Sequence, residues 1–199
     1  MTGLAILIPA AGRSERMDGR DKLLEPVDGE PLLARQARAA LATGWEVLIT
    51  LPPGAAARRT ALDGIGGACL RDVTDAAQGM AASIRAGALW AEAREADGLL
   101  VLLADLPELG TDDIAAVARS FIARPRLVHR GMDSAGRKGH PVVLPRRLFP
   151  MLGALEGDAG AQQVFTGETV VKVPLPGHRA TTDLDTPADW AAWRQRTGR

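Results

Sequence analysis

Two kinds of residue in this chain could do chemistry together: carboxylates at the ends of apolar runs, and cations in short loops of small residues. Asp105 directly follows the uncharged run GLLVLLA (98–104), and Asp183 and Asp185 flank Leu184 in TDLDTP (182–187). On an extended segment, residues two apart point to the same side, so Asp183 and Asp185 would face one way. Two carboxylates ~4 Å apart repel by about 4 kcal/mol at an effective dielectric near 20. A site pairing Asp105 with Asp185 therefore needs a cation or a shared proton. The cations are Arg13, Arg16 and Lys22, beside the small residues Ala10, Ala11, Gly12 and Ser14. Small residues let the backbone come close to a ligand, and successive N–H groups can form an anion nest.

Each of these features has a plainer reading. The loop could be an ordinary strand-to-helix turn, and it is neither G-x-G-x-x-G nor G-x-x-x-x-G-K-[ST]. Asp105 could cap a loop or serve as a hard oxygen ligand for Mg²⁺, which usually takes one or two protein carboxylates. Asp and Thr in TDLDTP also suit the turn that leads into a helix. His140, between Gly139 and Pro141, could bind a phosphate, polarise an acceptor oxygen, or simply pack in a turn. The run 157–161 looks like a helix N-terminus able to bind an anion, with Arg137 and Lys138 adding charge nearby. His129 and His178 belong to no motif and read as packing or surface residues.

Something must hold these residues in place, and the hydrophobic pattern says what. Runs of strand length occur at 4–8, 46–50, 98–104 and 169–173, with weaker ones at 68–72 and 126–129. The run at 98–104 shows no polar alternation, as expected of a parallel strand buried on both faces. Helical patterns lie between. Thr111 is positioned as an N-cap ahead of Ile114, Val117, Ala118 and Phe121, and Thr186 as a cap ahead of Pro187, Trp190 and Trp193. The stretch after Gln78 reads as a helix with Met80, Ile84, Ala88 and Ala91 inward. Alternating strands and helices predict a three-layer α/β/α fold with a mostly parallel sheet. The Gly-rich segment 129–145 predicts an antiparallel excursion near the sheet's end. Ligands of such sheets bind at the C-terminal ends of the strands, where the candidates cluster.

The 199 residues suit one domain, 1–199, and 46% hydrophobic with 24% charged residues suits a folded chain. Twenty-four basic residues balance twenty-four acidic ones, so no global field favours nucleic acid or an anionic membrane as partner. Cys69 stands alone, which rules out an internal disulfide and agrees with a reducing cytosol. The run at 4–8 is too short for a signal peptide, and no segment reaches the ~18 apolar residues of a membrane span, so a cytoplasmic protein is expected.

The pattern A-A-G-x-S-x-R-M, followed by Lys22 in DKLLEPVDGEPLL, resembles the MobA-like nucleotidyltransferases, nearest the molybdenum cofactor cytidylyltransferase branch. The resemblance continues through QGMAASIRAG (78–87), LLADLP (102–107), GRKGHPVVL (136–144), LEGDAGAQQVF (155–165) and TDLDTPADW (182–190). One local departure is Asp18 after Met17, which sets Gly19 one place late. The resemblance implies a GT-A-type fold, related to the nucleotide-diphospho-sugar transferases, and Mg²⁺-dependent transfer from an NTP with release of pyrophosphate. It implies Arg16, Lys22 and Asp105 as catalytic, with Asp105 and Asp185 on the metal and Asp183 beside them. Ala10, Ala11, Gly12, Arg13, Ser14, Gln78, Gly79 and Ser83 are implied to bind the nucleotide. Gly139, His140, Pro141 and Asp158 are implied to bind a phosphorylated acceptor, with molybdopterin leading. Guanylyl-transferring relatives tend to carry A-G-G, so Ala11 favours CTP. Handover of product to a molybdoenzyme or its chaperone would follow. A sugar- or polyol-phosphate nucleotidyltransferase, or a cofactor-binding chaperone without turnover, are the alternatives.

Overall fold

The structure is a computed structural model that describes residues 3–74, 80–157 and 160–199. Gln78, Gly79 and Asp158 lie outside the described residues. Seven strands form one sheet in the order β5-β4-β1-β6-β8-β7-β9, from β1 (Leu4–Pro9), β4 (Glu46–Leu51), β5 (Ala68–Asp72), β6 (Gly98–Val101), β7 (Val128–Met132), β8 (Lys138–Pro145) and β9 (Val170–Pro174). β2 (Pro26–Val27) and β3 (Glu30–Pro31) make a separate small hairpin. β1 pairs in parallel with β4 and β6, β4 with β5, and β7 with β9, while β8 runs antiparallel to both its neighbours. The expected antiparallel excursion near the sheet's end is present, with β7 and β8 the second and third strands from that end. Leu99 and Leu144 are partners across β6 and β8, so β8 lies well inside the sheet. Its run PVVLP is buried throughout, which an edge strand would not need.

The pleat of β1 sorts the core into two layers. Leu4, Ile6 and Ile8 face one side, with Leu33, Ala37 and Ala40 of α1 (Leu32–Leu41) and Ile114, Val117 and Phe121 of α4 (Thr111–Ala123). Ala5 and Leu7 face the other, with Ala81, Ile84 and Ala88 of α3 (Met80–Ala93) and Phe149 and Leu152 of α5 (Phe149–Gly153). Helices thus cover both faces, joined by the short α2 (Ala56–Ala61) and the C-terminal α6 (Pro187–Thr197).

The two helix starts differ in how closely they match the sequence reading. Thr186 caps α6, accepting from Asp189 N at 3.2 Å, and Pro187 takes the first helical position as expected. Gly110 rather than Thr111 caps α4. Asp113 accepts from Gly110 N at 3.0 Å, and the Thr111 hydroxyl turns instead to Ala39 O at 3.1 Å. Among the described residues no helix is long and apolar enough to cross a membrane.

Candidate active site

β1 and β6 lie side by side, so the loops that leave their C-terminal ends meet. They open a cavity of about 270 Å³ lined by Gly12, Arg13, Arg16, Lys22, Asp105 and Asp185, among others. Three separate parts of the fold bring these residues there. Asp105 follows β6, where the chain still donates from Leu102 N to Leu7 O at 2.9 Å before it turns away. The turn is held from behind by buried Gln36 of α1, which donates to Leu106 O at 2.9 Å and Leu109 O at 3.3 Å. Asp185 arrives from the C-terminal segment. Leu184 beside it is buried with Met17, Val27, Leu32, Trp190 and Trp193, and its N–H donates to Asp105 O at 3.2 Å. That small cluster seats the segment against the first loop, and the Asp189 carboxylate fixes its end by accepting from Thr186 N at 2.8 Å.

Lys22 belongs to the first loop. Two positive-φ residues, Asp18 (50°) and Gly19 (80°), close a tight turn in which Arg20 N donates to Met17 O at 3.0 Å. The departure at Asp18 is absorbed in that turn, which leaves Lys22 on a short 3₁₀ segment capped by Asp21. Buried Arg58 of α2 then ties the loop together. It donates to Asp21 Oδ2 at 2.6 Å and Oδ1 at 3.0 Å, and to Ala10 O at 2.6 Å. The Ser14 hydroxyl accepts from Lys22 N at 3.3 Å and donates to Asp21 Oδ1 at 3.2 Å.

The result is one ammonium shared by two carboxylates. Lys22 Nζ lies 2.7 Å from Asp105 Oδ2 and 2.6 Å from Asp185 Oδ1, and Arg16 reaches Asp185 Oδ2 at 2.9 Å. Burial works against the charge on Lys22, but the two carboxylates outweigh it and the pKa ends above the ordinary lysine value. Among the described residues Asp105 Oδ1 is a buried acceptor with no hydrogen-bond partner, on a residue that lines the cavity. Two carboxylates and an open acceptor are hard oxygen donors that suit a small divalent cation. Arg16 is largely exposed, so its ion pair adds little stability and leaves it free to engage an anion.

Several expected residues are placed otherwise. Asp183 is exposed and does not line the cavity, because the segment turns at buried Leu184 rather than running on as a strand. Ala10 gives its N–H to Thr50 O at 3.0 Å and its carbonyl to Arg58, and Ala11 packs against Val73 and Ala82. The open backbone of the loop therefore starts at Gly12. Ser83 is buried, with Thr50 donating to its hydroxyl at 2.9 Å, and it does not line the cavity. Arg20 pairs with Glu25 at 3.3 Å, away from the cavity.

A second chamber of about 280 Å³ adjoins the first, sharing Met80 and Leu103 with it, and contains His140. Burial holds the His140 pKa down to about 4, so the ring is neutral at pH 7, with Nδ1 facing Val101 O at 3.4 Å. Gly139 and Pro141 do not line the chamber. Gly139 is needed for packing: a β-carbon there would drive into the Ala180 carbonyl, which also accepts from His140 N at 2.9 Å. Arg137 and Lys138 do not line it either. Arg137 is bound to buried Asp133 at 2.7 Å and to Thr181 at 3.2 Å. His129 is a packing residue as expected, buried between Ser120 Oγ at 2.9 Å and Arg124 O at 3.1 Å.

Sequence reading missed Asp21, Arg58 and Arg130. Asp21 carried a signal, since an Asp just before KLL is an N-cap type. Arg58 and Arg130 carried none, because their partners lie on other elements.

The arrangement can be set beside known proteins. Residues 6–173 match the family model described as the MobA-like NTP transferase domain. The chain belongs to that family. This MobA-like domain is 27% identical over 198 residues to the purine catabolism protein PucB of Bacillus subtilis, covering 91% of each. It is 32% identical over 170 residues to a molybdenum cofactor guanylyltransferase of Pseudomonas putida, covering 83% of this chain and 84% of that one. Among solved structures, Rv0371c of Mycobacterium tuberculosis superposes with a TM-score of 0.79 at 27% identity, covering 98% of both chains. A structure of Rv0371c in complex with manganese gives 0.75 at 26% identity, covering 96% and 97%. The MobA-like domain is thus a nucleotidyltransferase built on a mostly parallel α/β sheet.

Proposed function

We propose that this enzyme transfers a nucleotidyl group from an NTP to the phosphate of a small acceptor, with molybdopterin the leading candidate, and releases pyrophosphate. The observation that carries the reading is the meeting of Asp105 and Asp185 on one cation, under a loop that presents Arg13, Arg16 and Lys22. Asp105 and Asp185 would hold a divalent ion, Mg²⁺ first. When bound, that ion neutralises phosphate charge and gives the triphosphate a fixed point on the protein. Arg13, Arg16 and Lys22 bind the triphosphate oxygens, and the open backbone from Gly12 onward lets them come close. The acceptor enters from the second chamber. One of its phosphate oxygens forms a bond to the α-phosphorus as the bond from the α-phosphorus to the bridging oxygen breaks, and pyrophosphate leaves with the electron pair. The attacking phosphate is already an anion, so no general base is required and the neutral His140 fits that chemistry. Positioning and charge complementarity then supply most of the rate.

Two observations bear on the base. Ala11 stands where guanylyl-transferring relatives tend to carry a glycine, and that resemblance favours CTP, although the Ala11 methyl itself packs against Val73 and Ala82. The guanylyltransferase from Pseudomonas putida favours GTP as the second reading. The test is pyrophosphate release from four NTPs with molybdopterin and with sugar phosphates, with and without Mg²⁺. Release with CTP and molybdopterin is expected; release only with GTP selects the second reading. Release only with sugar phosphates replaces the acceptor. Silence with every pair, alongside tight ligand binding, replaces the enzyme with a chaperone. Asp105→Asn should lower turnover at least ~100-fold with the fold retained, and normal turnover in that variant refutes the site.

A further inference from the structure

The second chamber holds a cation that nothing above uses. Arg130, on β7, lines it together with His140, Phe165, Val142 and Leu103. Its Nε donates to Gly139 O at 2.8 Å, which fixes the plane of the guanidinium, and its central carbon lies 5.9 Å from the Phe165 ring centroid. Among the described residues neither terminal nitrogen has a partner and no carboxylate pairs with the group. The contrast with its neighbours is sharp: Arg137, Arg146 and Arg147 are each held by an acidic residue. Burial draws the Arg130 pKa below the ordinary arginine value with nothing to offset it. A half-buried guanidinium without a counter-charge is a costly arrangement unless an anion visits it. The rest of the wall is apolar or neutral: Ile84, Leu103, Val142 and Phe165, with the uncharged ring of His140.

We propose that Arg130 is the anchor for the acceptor's phosphate, its two terminal nitrogens gripping two phosphate oxygens while the apolar walls hold an uncharged cyclic body. The anchor rests on the nucleotidyltransfer reading only for its role in turnover; the anion site itself stands on the chamber. Its place fits the transfer, since the two cavities meet at Met80 and Leu103 and the gripped phosphate keeps an oxygen free to face the α-phosphorus. Arg130 thus takes the part that the sequence suggested for Arg137 and Lys138. Paired end-on contacts suit a guanidinium and not an ammonium, so lysine should replace it only in part.

The test has two arms. In protein labelled with ¹⁵N at arginine, the Arg130 Nε signal is identified by its loss in Arg130→Gln, and inorganic phosphate is titrated in. The signal should move and saturate in wild type, and equally in Lys22→Met, whose first cavity is impaired. No movement at ~20 mM phosphate, weaker than any site of millimolar affinity, overturns the anion site. In the second arm, pyrophosphate release is followed with molybdopterin. Arg130→Gln should raise the acceptor KM by about 10–100-fold, the loss expected for a charged hydrogen-bond pair, with the NTP KM unchanged and partial recovery in Arg130→Lys. An unchanged acceptor KM in Arg130→Gln refutes the anchor while leaving the nucleotidyltransferase intact. A saturating Arg130 signal with no release from any NTP keeps the anion site and refutes the function instead.

Discussion

If Asp105 and Asp185 hold the metal as proposed, Lys22 occupies its place, and replacing Lys22 should raise the affinity for metal in the free enzyme. With Nζ 2.7 Å from Asp105 and 2.6 Å from Asp185, the two bonded oxygens are no more than about 5 Å apart. At an effective dielectric near 20, two unit charges at that distance repel by about 3 kcal/mol. Lys22 now offsets that repulsion, and a divalent ion must displace its ammonium before taking both carboxylates. In Lys22→Met the ion meets an uncompensated pair, so up to about 3 kcal/mol is added to its binding, or roughly 100-fold in Kd. The three side chains are only 17–25% exposed, so screening by water trims this figure without removing it. The assay is calorimetric titration of Mn²⁺ and Mg²⁺ into nucleotide-free protein, paired with thermal melts. Lys22→Met should bind metal more tightly and gain more from it in the melt, while turnover falls because a triphosphate contact is gone. The double variant Lys22→Met/Asp105→Asn should lose the gain, which shows that it arises at this pair. Equal or weaker metal binding in Lys22→Met than in wild type refutes the idea that the ammonium occupies the cation's place.

Three further outcomes are expected. Arg58→Met removes the counter-charge of Asp21, leaves its Oδ2 and the Ala10 carbonyl without a donor, and should cost about 2–4 kcal/mol in urea unfolding, with a raised NTP KM because the Lys22 turn loosens. His140, with its folded pKa near 4 against 6.5, refuses a proton that the unfolded chain accepts; stability should therefore hold above pH 6.5 and drain by up to about 3 kcal/mol as pH falls to 4. Urea midpoints across that range measure it, and His140→Gln should flatten the slope. Ser83→Ala should lower stability by about 1 kcal/mol through the lost bond with Thr50 and leave the NTP KM unchanged; a KM that rises several-fold would return Ser83 to the nucleotide site.

The sequence by itself determined what local rules can carry. An unbroken apolar run such as GLLV can satisfy its surroundings only when covered on both faces, so β6 and its place inside the sheet were legible before any contact was known. Thr186-Pro187 specifies a helix start through atoms three residues apart, and it formed as expected. Asp105 was legible because the C-terminal end of such a strand always opens on the ligand side. Tertiary structure decided the rest, wherever the partner of a residue is distant in the chain. Asp183 and Asp185 are equivalent in spacing, but only Asp185 faces the cavity, because Leu184 is drawn into a pocket formed by Met17, Val27, Leu32 and the two tryptophans. The glycines of 129–145 announced an antiparallel excursion near the sheet's end, but only the fold shows that β8 pairs directly with β6, Leu144 opposite Leu99. Arg58 and Arg130 look alike in sequence, one arginine among many. The first is spent on Asp21 and the loop, and the second is left facing an open chamber. No local pattern separates them, since the difference lies in which carboxylates the fold brings within reach.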